Sequence, residues 1–489
     1  MIVYSTMNIP RFLQTAFSVI WSSGLLILCC HGDTPYKPKL SDGKSPDFHD
    51  FPMGVLSATG RLHDGEREIL IRDVGKAGVA EKAGLKVDDR IISIEGNTPK
   101  AFSMETDTGL DGPQAVLGEA LDAACSSKTK VLQIMVRRGD KTIKLKLKAP
   151  SSPAFASSFP QNCAKSRKYF SGIVDHLMDI QREDGSWRPG VGGDADVYTG
   201  AFCALAVLSA DKKEYLPAVK GAINFIRRKS IALINPDDPK VGPKSWQTAS
   251  NAILLAEYQL ATGDDTFFED LKKCCDLLAG RVSENGRMGH SYDVPYERTG
   301  LVIINVQAHL AWALASKCDY KIDRIARNRS MVEIRKSIGP NTGGLGYSSR
   351  VPDYPDIPAR TGAMATALAI AGEEPKMAKG FANALARYQS RMRHAHSMSS
   401  IGLIYGMAGI KSVDPKAHET VMRKWIPYLE LCRTSGGTAA YFGGKRNYAG
   451  DAYLGYHPIG NATVALMLAS AESKLFIHGG TKPKWLGMP

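Results

Sequence analysis

The sequence has few residues of the kinds that build metal centres or disulfide frameworks. It contains nine cysteines in 489 residues, and two of them, Cys29 and Cys30, lie in an apolar N-terminal stretch. The other seven form an odd set without a CxxC pair or a spacing typical of zinc ligands. We therefore predict buried thiols, with no disulfide framework, metal or cofactor. These seven are Cys125, Cys163, Cys203, Cys274, Cys275, Cys318 and Cys432.

The signatures of several enzyme classes are also absent. There is no His-Glu-x-x-His, no P-loop and no dinucleotide fingerprint, and Gly289-His-Ser-Tyr-Asp293 departs from Gly-x-Ser-x-Gly at its last place. Aromatic residues make up 8% of the chain, and no arginine-rich run is interleaved with them. These absences argue against a protease, a nucleotide-binding enzyme and a nucleic-acid-binding protein.

The N-terminus has the pattern of an export signal. Arg11 is followed by Phe12 to Cys30 without a charge, and a Pro/Lys/Ser/Asp stretch follows to about residue 50. We predict a signal peptide or retained anchor over residues 1–32 and a disordered spacer over 33–50. The protein is then exported, as a periplasmic, cell-surface or secreted protein that meets the membrane only through an uncleaved N-terminus.

The positive charge is concentrated in the C-terminal part. Residues 33–150 carry 19 Lys and Arg against 18 Asp and Glu, whereas residues 151–489 carry 42 against 31, within a net charge of +13. A basic exported domain suits an anionic glycan or another envelope polymer, and general solubility explains the same excess.

Residues 51–149 read as a small α+β module. Short alternating runs predict strands, of which Val131–Arg138 and Thr142–Lys148 form a hairpin, and Gln114–Cys125 has helical spacing. The next stretch, 150–162, holds three prolines and four serines and predicts a linker.

The stretch Asp73–Asn97, with Ala83-Gly84-Leu85 before Asp89-Arg90-Ile91, resembles the central part of a PDZ domain. The resemblance implies capture of peptides or protein C-termini by a glycine-bearing loop and an added strand. By this resemblance the peptide-binding loop contains Met53, Gly54 and Val55, and the segment at Gly60 is the alternative position for it. A module used only for packing or dimerisation is the alternative.

From residue 163 to about 475 the chain reads as helical. Six stretches with Lys or Arg and one apolar stripe alternate with six nearly uncharged stretches rich in Ala, Leu, Ile and Gly. Helices that are apolar all round must be covered on all sides, so the pattern predicts an (α/α)6 toroid, with an α-solenoid as the alternative. Residues 476–489 are predicted to form a C-terminal tail, and the whole is a multi-domain protein.

The segment Gln181-Arg-Glu-Asp-Gly185-Ser-Trp187 resembles the structural QW motif of terpenoid cyclases and prenyltransferase-like proteins. The resemblance does not imply that this protein catalyses the reactions of those enzymes. Protonating cyclases need Asp-x-Asp-Asp, and Asp194-Ala-Asp196-Val197 lacks the last acid. The zinc ligands of the prenyltransferases are likewise incomplete, although Asp196 and Cys203 share a helical face.

The combination of export signal, PDZ-like module and toroid resembles a family of exported bacterial proteins of unknown function. Two functions fit the sequence. The first is an adaptor whose module binds peptides while the basic toroid binds an envelope polymer or protein. The alternative is a carbohydrate-active enzyme, a lyase or hydrolase of acidic polysaccharide, with its site in the toroid.

A toroid site is expected where the loops that enter the inner helices gather at one end of the ring. These loops contain many acids, tyrosines, arginines and histidines, among them Asp194, Asp196 and Tyr198. His and Asp carry protons near neutral pH, and Arg clamps anions. Helix capping explains the same residue types. The predicted catalytic residues are His290, Arg350, His396, Asp451 and His457.

Overall fold

A computed structural model of the chain describes residues 36, 48–103, 111–187, 193–292, 300–397, 399–440 and 456–487. All of these residues belong to one compact unit. The predicted signal or anchor over 1–32, most of the predicted spacer 33–50 and Asp451 lie outside the described residues. In the part of the chain described here, no helix is long and apolar enough to cross a membrane.

The N-terminal part is a six-stranded antiparallel sheet with the strands in sequence order. Alternating apolar residues face its core, and the last two strands form the predicted hairpin, in which Arg138 pairs with Lys141. The strands are β1 (Phe48–Pro52), β2 (Ala58–His63), β3 (Ile69–Val74), β4 (Arg90–Ile94), β5 (Val131–Arg138) and β6 (Lys141–Lys148), and the helices are α1 (Val79–Lys82) and α2 (Gly112–Ser126).

The sequence did not predict β1, because its burial does not alternate. His49 and Asp50 are both buried there, and Asp50 accepts two hydrogen bonds from the Arg61 guanidinium of β2, at 2.6 and 2.9 Å. The His49 ring lies 3.1 Å from Arg393 of the helical part. Polar residues thus take core positions through paired contacts that a hydrophobic pattern does not reveal.

Thirteen α-helices follow in the described part of the chain. They are α3 (Ala164–Ile180), α4 (Asp194–Leu208), α5 (Leu216–Lys229), α6 (Ser245–Thr262), α7 (Phe268–Gly280), α8 (Val302–Ser316), α9 (Arg324–Lys336), α10 (Pro358–Ala371), α11 (Pro375–Arg387), α12 (Ser399–Val413), α13 (Pro415–Lys424), α14 (Ile426–Cys432) and α15 (Tyr456–Ala469).

The inner helices close a ring. α4 contacts α6, and the contacts continue through α8, α10, α12 and α15 back to α4. The outer helices α3, α5, α7, α9, α11 and α13 lie against this ring and alternate with the inner helices along the chain. The predicted (α/α)6 arrangement of the helical region is thereby confirmed, and the solenoid alternative, which would leave the first and last inner helices apart, is wrong.

Burial explains which helices form the inner layer. Every residue of α8 from Val302 to Ala315 is buried, whereas α5 buries only one stripe and exposes its Lys and Arg. α10 and α12 approach each other closely at Gly362 and Gly409, where a Cβ on Gly409 would lie 2.6 Å from the Gly362 Cα. A side chain at either glycine would push these two inner helices apart.

The Gln181–Trp187 motif links neighbouring hairpins, in line with its predicted structural role. The Gln181 side-chain amide donates to the Ala218 carbonyl of α5 at 2.9 Å and to the Gly185 carbonyl at 3.2 Å. The Trp187 indole N–H donates to the Leu177 carbonyl of α3 at 2.7 Å. The motif therefore satisfies carbonyls at the end of α3 and on α5.

The last outer element differs from the single helix that the sequence predicts over Lys416–Thr434. It breaks at Trp425 into α13 and α14, and Pro427 lies in the first turn of α14, where its missing N–H costs little. Gly118 of α2 lies directly against Pro427. The break therefore turns α14 towards the sheet-bearing part of the protein.

The sheet-bearing part packs tightly on the ring through α2 and α14. Phe155 and Phe159, in the stretch predicted as a linker, are buried and meet edge to face with their ring centres 4.9 Å apart. The domain division at 150–162 stays a prediction. In the structure the parts before and after this stretch are packed against each other through α2 and α14.

One end of the ring is covered by the C-terminal segment. The helical turn Phe476–His478 contacts α10 and α12, and the Leu486 N–H donates to the Ala261 carbonyl at the end of α6. Glu257, fully buried on α6, accepts the backbone N–H groups of Phe476 and Ile477 at 3.0 and 2.7 Å. The predicted tail is thus packed in its described part, at the end of the ring where the inner helices have their C-termini.

Glu257 gives the stability a pH dependence. Burial raises the pKa of its carboxyl from 4.5 to about 7, and the two N–H groups oppose this shift. Because the folded pKa lies above the unfolded one, the stabilising contribution is complete below pH 4.5 and is lost as pH rises through 7. In Glu257→Gln we expect the stability difference between pH 5 and pH 8 to shrink by about 3 kcal/mol.

This effect is measured by urea unfolding of wild type and variant at both pH values. Glu269→Gln, at an exposed position of α7, is the matched control and should leave the difference unchanged. An identical pH dependence in wild type and Glu257→Gln would contradict the prediction.

Candidate functional site

A cavity of about 710 Å³ lies between the N-terminal ends of α4 and α6, at the end of the ring opposite the C-terminal segment. Each inner helix is reached through a returning outer helix, so the N-terminal ends of the inner helices lie together at this end. The cavity is lined by Gly193, Asp194, Asp196, Val197, Phe225, Lys229, Ser230, Leu233, Gly242, Pro243, Lys244 and Gln247.

Two acids lie in the first turn of α4. Asp194 pairs with Lys244 Nζ at 2.8 Å, and both side chains are partly exposed. Asp196 is only 8% exposed. Negative charge is favourable at a helix N-terminus because the unpaired N–H groups and the helix dipole stabilise it. Asp194 and Asp196 therefore line the same cavity and differ in their exposure to solvent.

Gln247, in the first turn of α6, adds a buried amide to the cavity wall. The residue is 3% exposed, and its Oε1 has no hydrogen-bond partner among the described residues. A buried acceptor without a partner is rare in folded proteins, because it loses its water without compensation. This oxygen is itself shielded from solvent, so a ligand hydroxyl or N–H reaches it only if the Gln247 side chain turns towards the cavity.

An aromatic group borders the cavity on α6. The Trp246 indole N–H donates to His290 Nδ1 at 2.6 Å, with the two rings stacked, and Ser245 N–H donates to the His290 carbonyl at 2.7 Å. Burial and the charge of Lys244 lower the pKa of His290. The imidazole is therefore neutral near pH 7, with its proton on Nε2.

Polar contacts continue from this group into the ring. Tyr198 meets Trp246 edge to face, and the hydroxyls of Tyr198 and Tyr405 both donate to Gln307 Oε1, at 3.3 and 3.1 Å. Burial raises the pKa of Tyr405, which keeps its hydroxyl protonated. These contacts join α4, α8 and α12 through Gln307 and connect Tyr198 to Trp246.

The described members of the predicted catalytic set lie on different elements of the ring. His290 supports Trp246, whereas the His457 ring lies 2.6 Å from His176 of α3 through their Nε2 atoms, two ring positions away from α6. Arg350 is exposed on the loop before α10, and its backbone N–H binds Ser348 Oγ at 3.3 Å. His396 belongs to the 3-10 helix Gln389–Ser397 before α12, and Asp451 lies outside the described residues.

His290, Arg350 and His457 do not line the 710 Å³ cavity. The predicted location, at the loops that enter the inner helices, agrees with the position of the cavity. The particular set of five stays a prediction, and His290 contacts Trp246, the residue before Gln247 of the cavity wall.

The residues predicted to bind peptide are packed inside the protein. Met53 and Val55 are fully buried, and a Cβ on Gly54, which has a φ of +60°, would lie 2.6 Å from the Glu430 carbonyl of α14. Gly60 lies in β2, which pairs with β1 on one side and β3 on the other. Peptide capture by a glycine-bearing loop and an added strand stays a prediction, and β2 already has a partner strand on both sides.

The wall that α6 contributes is not predicted from the sequence. The stretch 231–245 carries few of the residue types that were collected from the other loops, yet Lys244 and Gln247 line the cavity beside the two acids of α4. The available signal was Lys244-Ser-Trp-Gln247, a polar group at the start of an otherwise apolar inner helix.

Comparison with known proteins gives the family. Residues 166–479 match a family described as Domain of unknown function (DUF6288). The chain belongs to this family. The match covers the whole helical ring, including the cavity, and no curated protein matches the chain.

Two enzymes are among the solved structures that are similar to this chain. An inactive variant of the alpha-1,6-mannanase of Salegentibacter sp. HEL1_6, in complex with alpha-1,6-mannotriose, is 12% identical over 63% of this chain and 99% of its own, with a TM-score of 0.47. A variant of the type II terpene cyclase MstE from Scytonema, in complex with geranylgeranyl dihydroxybenzoate, is 14% identical over 63% and 98%, with a TM-score of 0.42. At this similarity no substrate or catalytic residue transfers to the DUF6288 chain.

Proposed function

We propose that this DUF6288 protein is a carbohydrate-active enzyme that binds a glycan in the cavity between α4 and α6. The observation that carries the proposal is the joint lining of one 710 Å³ cavity by Asp194, Asp196, Lys244 and Gln247. Hydroxyl-rich ligands need several fixed donors and acceptors in a concave site, and this wall offers both kinds.

Each lining group has a distinct use towards a sugar. Gln247 Oε1 accepts a hydrogen bond from a hydroxyl, and the Trp246–His290 stack keeps the start of α6 in place. In this proposal the carboxyl of Asp196, mostly shielded from water, exchanges a proton with the glycosidic oxygen or with an attacking water. Lys229 and Lys244 favour a glycan that carries negative charge, which agrees with the basic helical part.

The proposal is tested by offering neutral and acidic polysaccharides to the full chain and measuring both affinity and release of shorter products. We expect at least one glycan to be bound and cut. In Gln247→Leu, which keeps the side-chain size and removes the acceptor, affinity should fall about tenfold, as for one hydrogen bond of about 1.4 kcal/mol.

Gln259→Leu, farther along α6 and partly exposed, is the matched control and should bind as wild type does. Glycan binding that is equal in all three proteins would show that the site lies elsewhere. Binding without any cleavage would contradict the enzyme and favour the adaptor.

A further inference from the structure

A second cavity adjoins the loop 239–245 through Arg281, and three arginines line it with one glutamate. It has a volume of about 530 Å³ and lies between the C-terminal end of α7, the loop that follows it and α9. It is lined by Gly280, Arg281, Val282, Ser283, Glu284, Asn285, Arg287, Met288, Gly289, Tyr292 and Arg329. Three arginines and one glutamate thus share the wall.

Arg281 is the unusual member of this wall. It is 4% exposed, and its guanidinium donates to the carbonyls of Pro239 and Pro243 at 3.0 and 2.6 Å and to Ser245 Oγ at 3.4 Å. No carboxylate of the described residues pairs with it, and its Nη2 has no hydrogen-bond partner among them. A buried cation held only by neutral acceptors is costly unless an anion joins it.

Burial lowers the pKa of the Arg281 guanidinium to about 10, in accord with this missing partner. The two other arginines of the wall differ in their ion pairing. Arg287 lies 3.4 Å from Glu333, whereas exposed Arg329 has no ion-pair partner in the described structure. Tyr292, 40% exposed at the cavity, has Lys240 5.2 Å from its ring centre and extends the positive region.

We propose that this second cavity binds an oxyanion, the carboxylate or sulfate group of an acidic glycan, with Arg281 and Arg329 as its cationic partners. Guanidinium groups suit such anions because their N–H groups match two oxygens at once. Arg281 also holds the carbonyls of the loop whose Pro243 and Lys244 line the first cavity. An anion bound here would therefore lie beside the glycan of the proposed function, on which the identity of the ligand rests.

The test measures anion binding without turnover. Sodium sulfate, glucuronate and uncharged glucose are titrated into the full chain at constant ionic strength, followed by calorimetry. We expect sulfate and glucuronate to bind and glucose not to bind to this cavity. Arg329→Gln should weaken anion binding about tenfold, and Arg281→Lys, which keeps the charge but loses the forked donors, should weaken it as well.

Arg324→Gln is the matched control, because Arg324 is exposed on the same helix, α9, and does not line the cavity. Sulfate binding that is the same in this control, Arg329→Gln and wild type would show an adventitious ion only and overturn the inference. Anion binding that depends on Arg329, in a protein that cuts no glycan, supports the oxyanion site while the proposed function fails. Cleavage of a glycan by a protein whose anion binding does not depend on Arg329 supports the proposed function and overturns the oxyanion site.

Discussion

Replacing Asp196 with asparagine is expected to lower kcat on a cleaved glycan by at least about 100-fold, because general acid–base groups contribute roughly 10²- to 10⁴-fold. Asp196 is the most shielded acid of the cavity wall, at 8% exposed, and it shares that wall with Gln247. Asparagine keeps the size and one carbonyl oxygen but cannot exchange the proton. Affinity for the glycan should change far less than kcat.

The measurement is the steady-state rate of product release with the glycan found in the screen. Asp265→Asn, at an exposed position at the covered end of the ring, controls for the loss of one negative charge. The thermal midpoints of both variants should remain near that of wild type. Turnover by Asp196→Asn within threefold of wild type would assign the proton transfer to another group.

Removing the charge of Glu430 is expected to destabilise the protein by about 3–5 kcal/mol, as for a buried ion pair that loses one partner. Glu430 on α14 is fully buried, and its carboxylate contacts Lys165 Nζ of α3 at 2.7 Å and Arg433 Nη2 at 2.5 Å. Lys165 also pairs with Asp122 of α2. Glu430→Gln leaves two buried cations with one carboxylate, at the place where the sheet-bearing part meets the ring.

Urea unfolding followed by tryptophan fluorescence gives the free energy of unfolding of the variant. Glu374→Gln breaks an exposed ion pair with Arg335 and should cost less than about 1 kcal/mol, because exposed pairs are screened by water. A loss as small for Glu430→Gln as for Glu374→Gln would show that the cluster around Glu430 does not hold the two parts together.

The hydrophobic pattern was sufficient for the helical ring. Stretches without charge must be covered on all sides, and the six stretches that alternate with amphipathic ones became the inner helices that close the ring. The hairpin of β5 and β6 followed from strict alternation in the same way. These elements were predictable because burial selects residue type directly.

Elements held by polar pairs were not predictable. β1 has buried His49 and Asp50, whose partners Arg393 and Arg61 are distant or on another strand. The break at Trp425 and the docking of α14 on α2 depend on the fit of Pro427 against Gly118. A single sequence does not show such partners. Gly54, predicted by resemblance to bind peptide, thus lies against Glu430 of α14.

The sequence by itself determined that one end of the ring carries loops rich in acids, tyrosines and cationic residues, because the alternation of helices fixes which loops lie together. Only the tertiary structure decided which of them share a cavity. Asp194 and Asp196 meet Lys244 and Gln247 because α4 and α6 are neighbours in the ring, whereas His457 meets His176 at α3. Side-chain direction and burial depend on contacts between helices far apart in the chain, and it is those contacts that placed one unpartnered amide oxygen and two acids in the same cavity wall.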